Sequence, residues 1–436
     1  MPDRARKLLV IQTAALGYDF LVENWRGQWN DLAFRPMETA FPAVTCTVQA
    51  AFRTATPASQ HGMVSNGVYL RELRKPLFWE QSSALVQGPR IWERYRASGK
   101  RVALLFWQQS LGESADCILS PAPIHRHGGA MIQDCYSQPA GLYRKLCDAV
   151  GRKFDLTHYW GPLANGKSSA WIAAATAALL CDPDLAPDLC LTYLPILDYD
   201  LQRFGPAHDR SRKALAGLLR QLDGLVAAAR ANGYEVVIFG DYAIGAVTAG
   251  PVLPNLALKT AGLLQARDVK GMQYPDLHAS AAFAMVDHEI AHVYVQEPGS
   301  LRRVREVLAG LRGVAEVLDD RGQASRGIRH SRCGELLAVA ADGYWFAYPW
   351  WQRKSEAPDY AAHVDIHNKP GYAPCELFFG WPPPSPSQTL ARIKGSHGRC
   401  GAGRRACWAA TCRFEREPAT LIELAAEIRK WLEYGL

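Results

Sequence analysis

Apolar runs of strand length alternate with stretches of helical periodicity along most of the chain. The strand-like runs cover residues 8–13, 102–107, 189–194 and 235–239. Between the last two, leucines at helical spacing predict an amphipathic helix over residues 211–232, and Gly233 stands where a glycine commonly ends a helix. Strands that alternate with helices form parallel sheets covered on both faces. The pattern therefore predicts an α/β fold with a doubly wound, mostly parallel central sheet and helices on both faces.

The pattern changes near residue 253. Residues 291–295 and 314–318 predict strands on either side of a helix over residues 300–311. We interpret this β-α-β unit as a small inserted cap. A strand at residues 334–339 is expected to return to the main sheet, and residues 419–434 predict a terminal helix. The predicted organisation is one large domain made of residues 1–250 and 331–436, with residues 251–330 as the cap.

Composition limits the kinds of partner. The chain has 436 residues, of which 48% are hydrophobic, and a formal net charge of +7. Its Lys and Arg residues are scattered, without a basic stripe interleaved with aromatic residues, so no nucleic acid polymer is expected as a partner. The mild positive charge suits a small anionic substrate. The oligomeric state is left open.

Cysteine usage and hydropathy bear on the compartment. The 11 cysteines follow no repeating pattern, which in a chain this long is typical of reduced thiols and predicts a cytoplasmic location. The apolar run at residues 8–16 is short and strand-like, so we interpret it as a buried strand rather than a leader. No stretch has the roughly 18 consecutive apolar residues of a membrane span, and no membrane partner is expected.

Candidate chemical groups follow the predicted strands. Parallel sheets collect function beyond the carboxyl ends of their strands. The groups in these places are Thr45 and Cys46 at the start of a helix, then Asn66, Asp198, Gln202, Asp241, Tyr242, Asp365, His367, Lys369 and His397. Carboxylates and imidazoles gathered there suit a divalent cation. A hydroxyl at a helix N-terminus is well placed to become a nucleophile, because the backbone N–H groups stabilise an anion.

The order of these groups resembles the nucleotide pyrophosphatase/phosphodiesterase branch of the alkaline phosphatase superfamily. Thr45 matches a threonine that opens a helix, and His61-Gly62 and Asn66 follow it at the family's spacing. The segment from Asp198 to Pro206, the pair Asp241-Tyr242, and Gly395-Ser396-His397-Gly398 match later family motifs in order. The resemblance implies an alkaline phosphatase-like fold and a small-molecule phosphoester substrate.

The same resemblance implies roles for individual residues. Thr45 would form a phosphothreonine intermediate, and Asn66 with the Cys46 N–H would hold the phosphate oxygens. Asp198, Asp241 and His397 would bind one or two divalent ions, zinc or manganese. The implied activity is that of a phosphodiesterase or nucleotide pyrophosphatase.

Three positions depart from the family pattern. Ala14 stands where the family has the aspartate of an Asp-Gly-Leu turn, and Gln202 and Tyr242 replace histidines. Asp365 and His367, two positions apart, are candidate replacement ligands, because alternate residues of an extended segment point to the same side. Tyr242, Gln202, Lys369 and Cys46 are then expected to contact substrate.

Other assignments remain open at this point. For Asp287, His288 and His292 a structural role is the favoured interpretation. A phosphomonoesterase, a phosphonate hydrolase and a phosphotransferase are each compatible with the frame. Because metal ligands are missing, a catalytically silent binding protein with degenerate metal sites is a further alternative.

Overall fold

The computed structural model describes residues 6–25, 29, 32–126, 131–364, 376–382 and 385–435. The strands in chain order are β1 (Lys7–Thr13), β2 (Arg35–Met37), β3 (Gly67–Leu70), β4 (Lys75–Phe78), β5 (Val102–Leu105), β6 (Cys117–Ser120), β7 (Ile124–His125), β8 (Met131–Ile132), β9 (Tyr136–Gln138), β10 (Leu189–Leu194), β11 (Tyr234–Gly240), β12 (Gly245–Ala246), β13 (Gln265–Val269), β14 (Met272–Asp276), β15 (Ala282–Asp287), β16 (Ile290–Val295), β17 (Val314–Leu318), β18 (Leu336–Ala340), β19 (Phe378–Phe379), β20 (Pro386–Ser387), β21 (Gly395–Ser396) and β22 (Ala406–Ala410).

The α-helices in chain order are α1 (Tyr18–Asn24), α2 (Thr45–Thr54), α3 (Ala58–His61), α4 (Glu93–Ala97), α5 (Leu142–Val150), α6 (Gly166–Leu180), α7 (Ile196–Phe204), α8 (Asp209–Ala231), α9 (Pro254–Thr260), α10 (Leu301–Ala309), α11 (Asp320–Ser325) and α12 (Leu421–Tyr434). The predicted amphipathic helix is α8, whose buried leucines face the sheet. Gly233 follows it with φ 75°, a left-handed conformation that glycine adopts without steric cost.

The main sheet has eight strands among the described residues, in the order β2-β22-β11-β1-β10-β5-β6-β9. The five strands β11, β1, β10, β5 and β6 run parallel to one another, whereas β22 and β9 are antiparallel to their neighbours. Side chains on both faces of β1 and β10 are buried, as a sheet covered on two sides requires. The predicted doubly wound, mostly parallel sheet is confirmed.

A smaller sheet of four strands, in the order β15-β16-β18-β17, lies within the described residues. The predicted strands at residues 291–295 and 314–318 and the helix between them are present as β16, β17 and α10. The expectation that the strand near residue 334 returns to the main sheet is wrong, because β18 pairs with β16 and β17. All of its side chains are buried, so its composition did not distinguish the two sheets.

Three features of this architecture position the site. The carboxyl ends of β1, β10 and β11 lie side by side, because these strands are parallel neighbours. Helix α2 begins close to that edge, and the turn between β15 and β16 reaches it from the smaller sheet.

Across the described residues, no helix has both the length and the apolar character needed to cross a membrane.

Candidate active site

Thr45 is the first residue of α2. Val44 precedes it in an extended conformation, so the chain turns into the helix at Thr45. The Thr45 side chain is buried, and its Oγ1 lies 3.4 Å from the phenol oxygen of Tyr242, which follows β11. The N–H groups of a first helical turn have no partners within the helix, which favours an anion at this end. The predicted nucleophile therefore lies at an anion-favouring end of a ten-residue helix.

Two neutral side chains of the described residues, Gln202 and Tyr242, donate to Asp198. Asp198 lies one helical turn before Gln202 on α7, and Gln202 Nε2 donates to both of its carboxylate oxygens, at 2.9 and 2.8 Å. Tyr242 Oη donates to Asp198 Oδ1 at 3.0 Å. Burial, together with the negative charge of Asp198, raises the pKa of Tyr242 well above its ordinary value, so this side chain stays a phenol.

His397 lies against the same group. Its Nδ1 donates to the carbonyl oxygen of Ala43 at 2.8 Å, which leaves a lone pair on Nε2, 3.9 Å from Asp198 Oδ1. Its ring stacks on the Tyr242 ring, with the centroids 3.7 Å apart and the planes 3° apart. Burial and the nearby charge of His288 lower the pKa of His397 well below its ordinary value, so His397 is neutral.

Asp241 lies behind the site rather than in it. It is fully buried and accepts hydrogen bonds from Gln12 Nε2 at 3.1 Å and from the backbone N–H groups of Ala15 and Tyr242 at 2.8 and 2.9 Å. Burial raises its pKa well above its ordinary value. In these contacts Asp241 fixes the turns that follow β1 and β11.

The turn between β15 and β16 contributes an aspartate–histidine pair to the site. Asp287 accepts from the Asn66 N–H at 2.7 Å, from Asn66 Nδ2 at 3.0 Å and from His288 Nδ1 at 2.8 Å. The His288 ring lies 3.9 Å from that of His397, centroid to centroid. Burial opposes protonation of His288, but the hydrogen bond and charge of Asp287 outweigh it, and the pKa of His288 is raised.

Sequence reasoning favoured a structural role for Asp287 and His288, yet the structure brings both to the site. The signal that was available is the pair of apolar runs around Asp287-His288-Glu289, which is typical of a tight hairpin. His288 has φ 58°, a left-handed conformation that is costly for a non-glycine residue and is often kept at functional sites.

Several of these groups, though neither Asp241 nor Asp287, line a cavity of ≈ 50 Å³. Its walls are rich in aromatic side chains, and no Lys or Arg is among the described residues that line it. The lining residues are Thr45, Asn66, Trp79, Gln108, Tyr159, Trp160, Tyr193, Pro195, Asp198, Tyr199, Gln202, Tyr242, His288 and His397.

Six of the predicted site residues share this cavity: Thr45, Asn66, Asp198, Gln202, Tyr242 and His397. Cys46 reaches the group through its backbone, whose N–H donates to Asn66 Oδ1 at 3.0 Å. The predicted residues Asp365, His367 and Lys369 lie outside the described residues. Their proposed roles as replacement ligands or substrate contacts stay predictions.

The side chains present can be compared with the ligands that the implied metal ions would need. Ala15 has φ 58°, matching the glycine of the family's Asp-Gly-Leu turn and aligning Ala14 with the missing aspartate. Asp241 and Asp198 direct their carboxylate oxygens at N–H and O–H donors. Among the described residues, no three His, Cys, Asp or Glu side chains form a group suited to holding an ion. These residues do not fit a two-ion site.

Comparison with known families identifies one match. The sequence pattern of the type I phosphodiesterase / nucleotide pyrophosphatase family matches residues 29–373. Members of this family are phosphoester hydrolases that generally depend on divalent metals. A comparison with curated protein sequences finds no match.

Solved structures with the same fold include phosphonoacetate hydrolase from Sinorhizobium meliloti 1021 in complex with phosphonoacetate, with 14% identity, a TM-score of 0.64, and 98% of this chain and 96% of that chain covered. Human ectonucleotide pyrophosphatase/phosphodiesterase 5 has 12% identity and a TM-score of 0.59, with 98% and 95% covered. An inactive threonine-to-alanine variant of the murine protein in complex with AMP has 13% identity and a TM-score of 0.57, with the same coverage. The predicted alkaline phosphatase-like fold is confirmed.

Proposed function

The chain belongs to the type I phosphodiesterase / nucleotide pyrophosphatase family, and from that premise we propose that it hydrolyses a small phosphodiester with Thr45 as the nucleophile. The observation that carries this proposal is the position of the Thr45 hydroxyl, at the start of α2 and in one cavity with Tyr242 and Asp198. The murine relative whose threonine-to-alanine variant is described as inactive supports a threonine nucleophile.

The proposed reaction uses the contacts of Thr45. Thr45 Oγ1 attacks phosphorus, a new O–P bond forms, and the bond to the leaving oxygen breaks. The Thr45 proton passes to Tyr242 Oη while the phenol proton passes to Asp198, along contacts of 3.4 and 3.0 Å. That proton is then available to the leaving oxygen. Water replaces Thr45 on phosphorus in the second half of the reaction and restores the hydroxyl.

We place the phosphate at the N-terminus of α2. The Cys46 N–H points to Asn66 Oδ1, and Asn66 Nδ2 points to Asp287. In the proposed complex the Cys46 N–H exchanges Asn66 for a phosphate oxygen, because an N–H of the first helical turn has no partner within the helix. His288, oriented by Asp287, then supplies a second donor to the same cavity.

The charge of the cavity favours a diester over a monoester. A phosphodiester carries one negative charge, whereas a monoester carries up to two, and the described lining offers no Lys or Arg to balance the second. The walls formed by Trp79, Tyr159 and Trp160 suit a planar or apolar leaving group. These features support an aromatic or nucleoside-like ester.

Chromogenic substrates test this proposal. The purified chain is assayed with bis(p-nitrophenyl) phosphate, p-nitrophenyl phosphate and phosphonoacetate, each with added zinc or manganese and with a chelator. We expect kcat/KM for the diester to exceed that for the monoester by about tenfold or more, equivalent to about 1.4 kcal/mol. A preference for the monoester or for the phosphonate would contradict the diester assignment.

A second candidate is a binding protein without turnover. The observation that favours it is the replacement of expected ligands by Ala14, Gln202 and Tyr242. Calorimetric titration with a non-hydrolysable nucleoside phosphonate distinguishes the two functions. Tight binding without turnover of any ester favours the binding protein, whereas turnover excludes it.

A further inference from the structure

The phenol of Tyr242 occupies the space between the nucleophile and the nearest carboxylate. Its oxygen lies 3.4 Å from Thr45 Oγ1 and 3.0 Å from Asp198 Oδ1. The parallel stack on the His397 ring, at 3.7 Å, fixes the phenol in this place. An ion bridging Thr45 and Asp198 would therefore have to displace a buried and well-packed side chain.

Within the described part of the chain, the two carboxylates near this place accept hydrogen bonds from neutral groups. Asp198 accepts from Gln202 with both oxygens and from Tyr242 with one. Asp241 accepts from Gln12 and from two backbone N–H groups. Binding an ion to these oxygens would cost these hydrogen bonds.

We propose that the described residues hold Thr45 without a resident divalent ion, and that the Tyr242 phenol, with Gln202 beside it, takes the place of the ion. The proposal deepens the proposed function, since it assigns to Tyr242 and Asp198 the handling of the Thr45 proton. The two replaced histidine positions act together, because one supplies the phenol and the other supplies the amide that orients Asp198.

The chemical consequence concerns the substrate. Without an ion, the donors among the described residues that are left to meet the phosphate are His288 and the N-terminus of α2. Because no Lys or Arg is among the described residues that line the cavity, the site suits a substrate with one negative charge better than one with two, which agrees with a diester. The site then keeps its affinity for ligand in the presence of chelators.

Metal binding by the full chain tests this proposal directly. The wild-type protein and the triple variant Ala14→Asp/Gln202→His/Tyr242→His are purified identically and stripped with chelator. Each is then titrated with ZnCl₂ by calorimetry, and its metal content is measured by mass spectrometry. We expect no stoichiometric zinc in the wild type and a gain of stoichiometric zinc in the triple variant, because the variant restores a carboxylate and two imidazoles.

Two results overturn the proposal. One is stoichiometric zinc in the wild type that is lost in Asp198→Ala. The other is a folded triple variant, verified by circular dichroism, that gains no zinc. Gln202→His/Tyr242→His serves as a second variant if the triple variant does not fold, with a gain in zinc affinity expected. These readouts do not depend on turnover, so absent hydrolysis would refute the proposed function while leaving the metal result intact.

Discussion

At the scale of single residues, Tyr242 connects the two groups on which the proposed reaction depends. Its hydroxyl contacts Thr45 and donates to Asp198, and its ring packs on His397. The ring alone makes the stacking contact, and the hydroxyl alone takes part in proton transfer. Removing the oxygen alone therefore separates catalysis from packing.

We predict that Tyr242→Phe lowers kcat for a phosphodiester by about 10²-fold, within the range for loss of a proton-transfer group. The retained ring is expected to leave the unfolding temperature nearly unchanged. Steady-state kinetics and calorimetry of the variant measure both. The matched control is Tyr199→Phe, which removes a phenol oxygen from the same cavity that donates to the backbone of Tyr159. Equal activities of the two variants would remove Tyr242 from the reaction.

At the scale of elements, the sequence predicted what depends on periodicity. The buried, mostly apolar β1 and β10, the amphipathic α8 and the start of α2 at Thr45 are present as expected. The hydrophobic pattern of a buried strand does not show which of two buried sheets the strand joins. For this reason β18 was assigned to the wrong sheet. The position of His288 at the site depends on how the smaller sheet packs against the rest of the fold, and the local sequence does not encode that packing.

Helix α2 is anchored at its far end by a buried ion pair. Arg53 is fully buried, lies 3.5 Å from Glu113 and donates to the carbonyl oxygens of Gln108 and Gln109 at 2.5 and 2.7 Å. Gln108 in turn lines the cavity. The guanidinium thus ties the helix that carries Thr45 to the loop after β5.

We predict that Arg53→Ala lowers the free energy of unfolding by about 3 kcal/mol or more, because it leaves buried acceptors unpaired. Arg53→Lys is expected to retain only part of the unfolding free energy that Arg53→Ala loses, since an ammonium does not span both carbonyls and the carboxylate. Urea unfolding measures the change. The control is Arg94→Ala, whose ion pair with Glu433 is solvent-exposed on the arginine side and is worth about 0.5 kcal/mol. A change as small as that of the control would contradict the anchoring role.

At the scale of the whole molecule, buried polar contacts join the smaller sheet to the main domain. Asp287 binds Asn66, the N–H of Glu289 donates to the carbonyl of His397, and Glu289 pairs with Arg404 at 3.0 Å. His292 Nε2 donates to the carbonyl of Val64 at 3.0 Å. The site therefore lies on a junction that is bonded on several sides rather than on a freely moving cap.

Two buried histidines, one of them in this junction, predict a loss of stability in mild acid. Burial lowers the pKa of His292 to about 4 and that of His61 to about 3. Because the folded pKa of each is below the unfolded value of about 6.5, their contribution is fully present above pH 6.5 and declines as pH falls toward 4. We expect each neutral histidine to account for about 2 kcal/mol of lost unfolding free energy between pH 7 and pH 5.

Urea unfolding at the two pH values measures this loss, with His292→Gln as the comparison. The variant is expected to show a weaker pH dependence than the wild type, because its amide does not titrate. An identical dependence in both proteins would show that His292 is not held neutral in the folded state.

The account as a whole depends on Thr45, and one measurement tests it most directly: turnover of bis(p-nitrophenyl) phosphate by Thr45→Ala, beside Thr45→Ser and the control Thr47→Ala. Thr47 is a buried threonine two positions further along α2. We predict that Thr45→Ala loses hydrolysis to the background rate, that Thr45→Ser keeps a fraction because an attacking oxygen remains, and that Thr47→Ala stays near wild type. Substantial turnover by a folded Thr45→Ala protein would contradict the assignment of Thr45 as the nucleophile.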